Sequence, residues 1–78
     1  MPAHFTDHIT ANKKNFFVSV VPHSRADGFY YEINIQGLPR FAMQYAAIGR
    51  YDIVPGDHPP IDYEIILAVS DIIEKHVQ

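Results

Sequence analysis

The sequence predicts an α+β protein, a small antiparallel sheet of three to four strands in meander order with one C-terminal helix packed on one face. Three observations predict it. Phe29, Tyr31, Ile33 and Ile35 alternate with Tyr30, Glu32, Asn34 and Gln36, the signature of a strand with one dry face and one wet face. Asp27-Gly28 stands between two apolar runs, where glycine accepts the positive φ of a tight hairpin. Near the C-terminus, Ile61, Ile65, Ala68, Val69, Ile72, Ile73 and His76 repeat at three- and four-residue steps and form one helical stripe.

In chain order, residues 1–14 read as a flexible arm and residues 15–78 as a single α+β domain. The arm mixes Thr, Asp, Asn and Lys, with Phe5 and Ile9 as anchors that one helical turn could dock. Asn15 to His23 reads as the first strand. Phe16, Phe17, Val18, Val20 and Val21 are β-branched or aromatic and lie on both faces, so the second face is either buried or used in association. The Ser24–Gly28 turn then leads into the Phe29–Gly37 strand. Pro39 has no N–H to donate and closes that strand.

Arg40 to Ile48 supports two readings. A helical period groups Phe41, Tyr45 and Ile48, with Pro39 at the first position and Gly49 as cap. A period of two groups Phe41, Met43, Tyr45 and Ala47, and the same phase continues through Gly49, Tyr51 and Ile53. The unbroken phase favours a strand. A two-residue hairpin at Gly49 would flip it, whereas a bend or three-residue loop would keep it. Pro55 to Pro60 is an irregular loop. The final helix spans about Ile61 to Val77, with Asp62 and Glu64 near its start and Lys75 and His76 near its end, as the helix dipole favours. Its stripe needs an apolar surface, and the Phe29, Tyr31, Ile33, Ile35 row supplies one.

Composition bounds the function. At 78 residues the chain buries only about 60% of its unfolded surface, so a partner subunit would add needed stability. With no cysteine there are no disulfides and no thiolate metal sites, which fits a cytoplasmic protein. The net charge of −3, with no basic cluster beyond Lys13-Lys14, argues against nucleic-acid binding. No apolar run approaches the ~20 residues of a membrane span, and no signal peptide is evident. Nothing in the sequence calls for a cofactor.

The five histidines supply the candidates for chemistry. His4 and His8 are four apart and on a helix would share a face, as a metal requires, but no third ligand is evident. His23, Arg25 and Asp27 cluster in the first hairpin. If the third strand runs unbroken to Val54, Asp57 and His58 emerge at the same rim, and His23, Asp27 and His58 could form an acid–base site. If the chain reverses at Gly49, the two groups fall at opposite ends. His76 reads as a core-edge residue with a satisfied ring. The bland reading of each is a solvated loop or terminus, so the balance leans away from an enzyme.

The leading expectation is a non-enzymatic interaction module that pairs with itself as a homodimer, or with another protein, through a sheet edge or the second face of the first strand. Phe17, Val21 and Tyr30 are the candidate interface residues. One layout also resembles a known family. Asp27 to Glu32, the Gly37-Leu38-Pro39 turn and the late amphipathic helix Glu64 to His76 are similar to the N-terminal half of HicB-type antitoxins. The resemblance implies a toxin-binding partner rather than catalysis. The chain departs from that pattern at Pro59-Pro60, where a helix cap is usual, and in the length of Arg40 to Val54.

Overall fold

The computed structural model describes residues 3–26 and 28–77. They form a curled antiparallel sheet with one helix seated in its concave side, the α+β arrangement that the alternation and the helical stripe predict. The elements in order are β1 (Phe5–Ala11), β2 (Lys14–Arg25), β3 (Gly28–Ile35), β4 (Phe41–Tyr45), β5 (Tyr51–Ile53) and α1 (Tyr63–Val77). The described strands make a five-stranded meander in the order β1-β2-β3-β4-β5.

The extra strand is β1. Within the segment expected as a loose arm, Phe5–Ala11 pairs with β2, from Phe5 opposite Val20 to Ala11 opposite Lys14. The turn between them is only Asn12-Lys13, and both residues are left-handed, with φ of 53° and 63°. That is the geometry of a primed two-residue hairpin, whose twist matches that of the strands it joins. The helix steadies this turn. The Asn12 amide donates to the Glu64 carboxylate, and Asn12 Nδ2 donates to Asp62 Oδ2 at 2.8 Å.

β2 holds a proline, Pro22, opposite Tyr31. It is tolerated because β1 ends opposite Val20, so β2 has only β3 beside it at that point. β3 runs into a tight turn in which the Leu38 amide donates to the Ile35 carbonyl at 3.0 Å, with Gly37 at φ 87°. Of the contested Arg40 to Ile48 segment, Phe41–Tyr45 is strand, and Ala46 to Ile48 enter a loop that reverses at Gly49. Met43 faces Ile53 and Tyr45 faces Tyr51. The loop is closed by the Ala46 amide on the Arg50 carbonyl at 2.8 Å and by the Gly49 amide on the Ala46 carbonyl at 3.0 Å. Odd-numbered side chains therefore stay on one face through the reversal, and the apolar phase is unbroken.

The core is the meeting of that face with the helix. Ile9, Val18, Val20, Tyr31, Ile33, Ile35, Phe41 and Met43 from the sheet share one buried cluster with Ile65, Ile66, Val69, Ile72 and Ile73 from the helix. Phe29 departs from the expected row, because it is 40% exposed at the end of β3 that the helix does not cover. Ser70 departs in the opposite sense. A polar residue outside the stripe, it is nevertheless buried, since Ile66, Ser70 and Ile73 form a second row toward β5. There Ser70 Oγ accepts the Tyr51 amide at 3.1 Å. Burial pushes the nearby Tyr51 hydroxyl up to about 12. The helix begins later than the stripe suggests. Asp62 caps it, with Oδ1 accepting the Glu64 amide at 2.9 Å and its carbonyl accepting the Ile65 and Ile66 amides.

The helix lies closest to the two edge strands, β1 and β5. It closes the open side of the curl, and both edges are tied down. On β5, Ser70 takes the Tyr51 amide and the Asp52 carboxylate takes the Ile53 amide at 2.8 Å. On β1, Asp7 Oδ1 takes the His8 amide at 2.7 Å, while its other oxygen meets His76 Nε2 at 2.9 Å and Lys75 Nζ at 3.7 Å. The His76 ring also stacks on Phe5 at 4.0 Å, so it sits at the core edge with its ring satisfied, as expected. Among the described residues no helix is long and apolar enough to cross a membrane.

Candidate functional site, the outer face of the sheet

With the helix on the concave side, the even-numbered residues of β1, β3 and β4 and the odd-numbered residues of β2 form an outer face. Registers fix its rows. His8 lies opposite Phe17, Ser19 opposite Asn34, Val21 opposite Glu32, His23 opposite Tyr30, Glu32 opposite Ala42, and Gln44 opposite Asp52. No described element covers this face. Phe17 is 45% exposed on it, and Val21 and Tyr30 are half-buried. The three candidate interface residues therefore share one surface.

A polar network occupies its middle. His23 Nε2 donates to Glu32 Oε1 at 3.0 Å, and the imidazole stacks on Tyr30 with centroids 5.1 Å apart. Glu32 Oε2 accepts Asn34 Nδ2 at 2.9 Å and lies 3.6 Å from Arg40. The Asn34 hydrogen bond, then that from His23, holds the Glu32 carboxyl below its ordinary range against the opposing pull of burial. The Arg25 guanidinium lies over the Tyr30 ring, 5.4 Å from its centroid, and donates to Gln44 Oε1. Each polar group is held by its neighbours, which makes a preorganised surface. The sequence reading placed Glu32 on the wet row but missed it as partner of His23. The pairing of Arg25 with Gly28, which puts Gly28 in β3 rather than in the expected Asp27-Gly28 turn, sets His23 opposite Tyr30 and diagonal to Glu32.

The rim proposed for acid–base chemistry is not assembled. The chain reverses at Gly49, which is the condition under which the two groups separate, and β5 runs back along β4. His23 is engaged with Glu32, whereas His58 Nδ1 donates to the Pro59 carbonyl at 3.0 Å. Asp27 lies outside the described residues. His4 and His8 are not on a helix. Strand rise places positions four apart at about 13 Å along the chain, too far to share an ion. His4 Nε2 instead meets Ser19 Oγ at 2.9 Å, and the His8 ring meets Phe17 edge-on at 5.2 Å. Among the described residues no group of three or more His, Cys, Asp or Glu is placed to hold a metal.

Comparison of the chain with family models, curated proteins and solved structures finds no match.

Proposed function

We propose that this protein is a small non-enzymatic interaction module, and that its contact surface is the outer face of the sheet, met by a second copy. The observation that carries the reading is Phe17. A phenylalanine 45% exposed on an uncovered sheet face, with Val21 and Tyr30 further along the same face, is an association surface in composition. Edge pairing is the weaker mode, because the His8, Tyr51 and Ile53 amides are already occupied by side chains. Charge favours self-pairing on this face. The chain carries −3 overall, yet among the described residues Arg25 and Arg40 balance Glu32 and Asp52 here. Two copies can meet on it without the repulsion that the acidic helix would impose.

Strand spacing and residue rise give the face about 450 Å² of sheet plane. That is small beside the ~800 Å² per partner of a standard interface, so pairing belongs in the micromolar range or weaker. Sedimentation equilibrium from about 10 µM to about 1 mM tests it. A reversible dimer is expected, and Phe17→Glu should weaken it at least about tenfold, while costing the dilute monomer no more than about 0.5 kcal/mol. A wild-type protein that stays monomeric throughout overturns the reading. A tight complex with a basic partner in place of the dimer would favour the toxin-binding alternative.

A further inference from the structure

Three of the five histidines stand on the outer face. His23 and His8 are placed there by register, opposite Tyr30 and Phe17, and His4 is placed there by its bond to Ser19. We propose that the outer face is a proton-gated contact, on which two copies pair while its histidines are neutral and from which they separate when those histidines are charged. The inference rests on the face-to-face pairing proposed above and adds its regulation.

The charges that face these imidazoles fix the sign. His23 has Glu32 and Tyr30 across from it on β3, Arg25 two residues along β2, and Arg40 on the far side of the Glu32 carboxylate. Gln44 and Asp52 continue the same row on β4 and β5. Glu32 can compensate one cation, but it already serves Arg40 and His23 together. His4 has Ser19 beside it, and His8 has Phe17, Thr6 and Thr10; the carboxylate of Asp7 is turned to the opposite face, where His76 and Lys75 hold it. Among the described residues the face therefore starts with Arg25 and Arg40 against Glu32 and Asp52, formally neutral. Each protonation therefore adds a positive charge to a face whose described carboxylates, Glu32 and Asp52, are already matched in number by Arg25 and Arg40. Imidazoles gain that charge as pH falls from about 8 to about 5. In a two-fold dimer every such charge is presented twice, and like charges brought together across an interface are costly.

Net charge alone gives the opposite expectation. The sequence pI is about 5.9, so whole-molecule repulsion is least near that pH and association should increase there. The two accounts differ in sign, which makes the test sharp.

The dimer constant of the full chain is measured by sedimentation equilibrium at pH 8 and pH 5.5, with far-UV circular dichroism confirming the fold at both. The inference expects dissociation to increase at least about tenfold at the lower pH, partly restored by added salt through screening. In a His4→Gln, His8→Gln, His23→Gln triple variant the dimer constant, whatever its value at pH 8, should no longer change between pH 8 and pH 5.5. His58→Gln, altered in the Pro55–Pro60 loop where the ring bonds the Pro59 carbonyl, should keep the wild-type pH dependence. A dimer whose constant does not change with pH, or tightens toward pH 5.9, overturns the gate and leaves the pairing intact. A protein that is monomeric at pH 8 overturns the pairing itself, and the gate with it. A triple variant that keeps the wild-type pH dependence also overturns the gate.

Discussion

Replacing Lys13 by glycine should stabilise this protein, although it removes a side chain and adds nothing. Lys13 is held at φ 63°, next to Asn12 at φ 53°, in the turn that creates β1. An L-residue with a Cβ pays roughly 1–2 kcal/mol for left-handed backbone, and glycine does not. Glycine returns about 0.5–1 kcal/mol of that through its freer unfolded chain. The balance is a gain of about 0.5–1 kcal/mol, or about 2–8 °C in Tm for a domain of this size. Asn12→Gly is the internal control. Asparagine already tolerates the left-handed region, and its side chain donates to Asp62 Oδ2 at 2.8 Å, so its loss should be neutral or destabilising. Thermal unfolding by circular dichroism, at a concentration low enough to exclude dimer, reads both. A lower Tm for Lys13→Gly, or a gain from Asn12→Gly in its place, would refute the hairpin geometry and with it the placement of β1.

Two further predictions probe the edges. Ser70→Ala leaves the Tyr51 amide without an acceptor at a partly buried site and should cost about 1–3 kcal/mol, with faster hydrogen exchange at Tyr51 than at Met43 in the neighbouring strand. Asp7→Asn should cost about 0.5–1 kcal/mol at neutral pH. The Asp7 carboxyl is held below its usual 3.8, chiefly by the His76 hydrogen bond and next by the His8 amide. Its contribution is therefore present above that value and is lost as pH falls through the lower folded value, so the gap between wild type and variant should close in acid. A gap that stays constant down to pH 2 would contradict the pairing of Asp7 with His76 (about two units is ample to protonate a free carboxyl).

Much of the architecture was legible because two periodicities carry it. The Tyr31, Ile33, Ile35 row and the Ile65, Val69, Ile72 stripe are opposite halves of one core, and both are written at the spacing that their backbone imposes. The strand reading of Phe41 to Tyr45 rested on phase alone, and the five-residue Gly49 loop preserves that phase. β1 was hidden for two physical reasons. Its turn is Asn-Lys rather than Asn-Gly, so the usual hairpin signal is absent. Its inward row also includes Asp7, a charge that looks wrong for a strand but here occupies an edge amide and a helix end. Glu32 was missed for a related reason. An alternation pattern says which face a residue takes, but a cross-strand diagonal such as His23 to Glu32 needs the register, which the turn fixes only once its length is known.

An amide-resolved NMR dilution series tests the central proposal most directly. Between about 1 mM and about 10 µM at pH 8, concentration-dependent shifts should concentrate at Phe17, Ser19, Val21, Tyr30, Glu32 and Asn34, the outer face of β2 and β3. Shifts confined to the β1 edge, or to Tyr45 and Ile48 at the exposed β4–β5 end, would contradict it, and so would a spectrum that does not change on dilution.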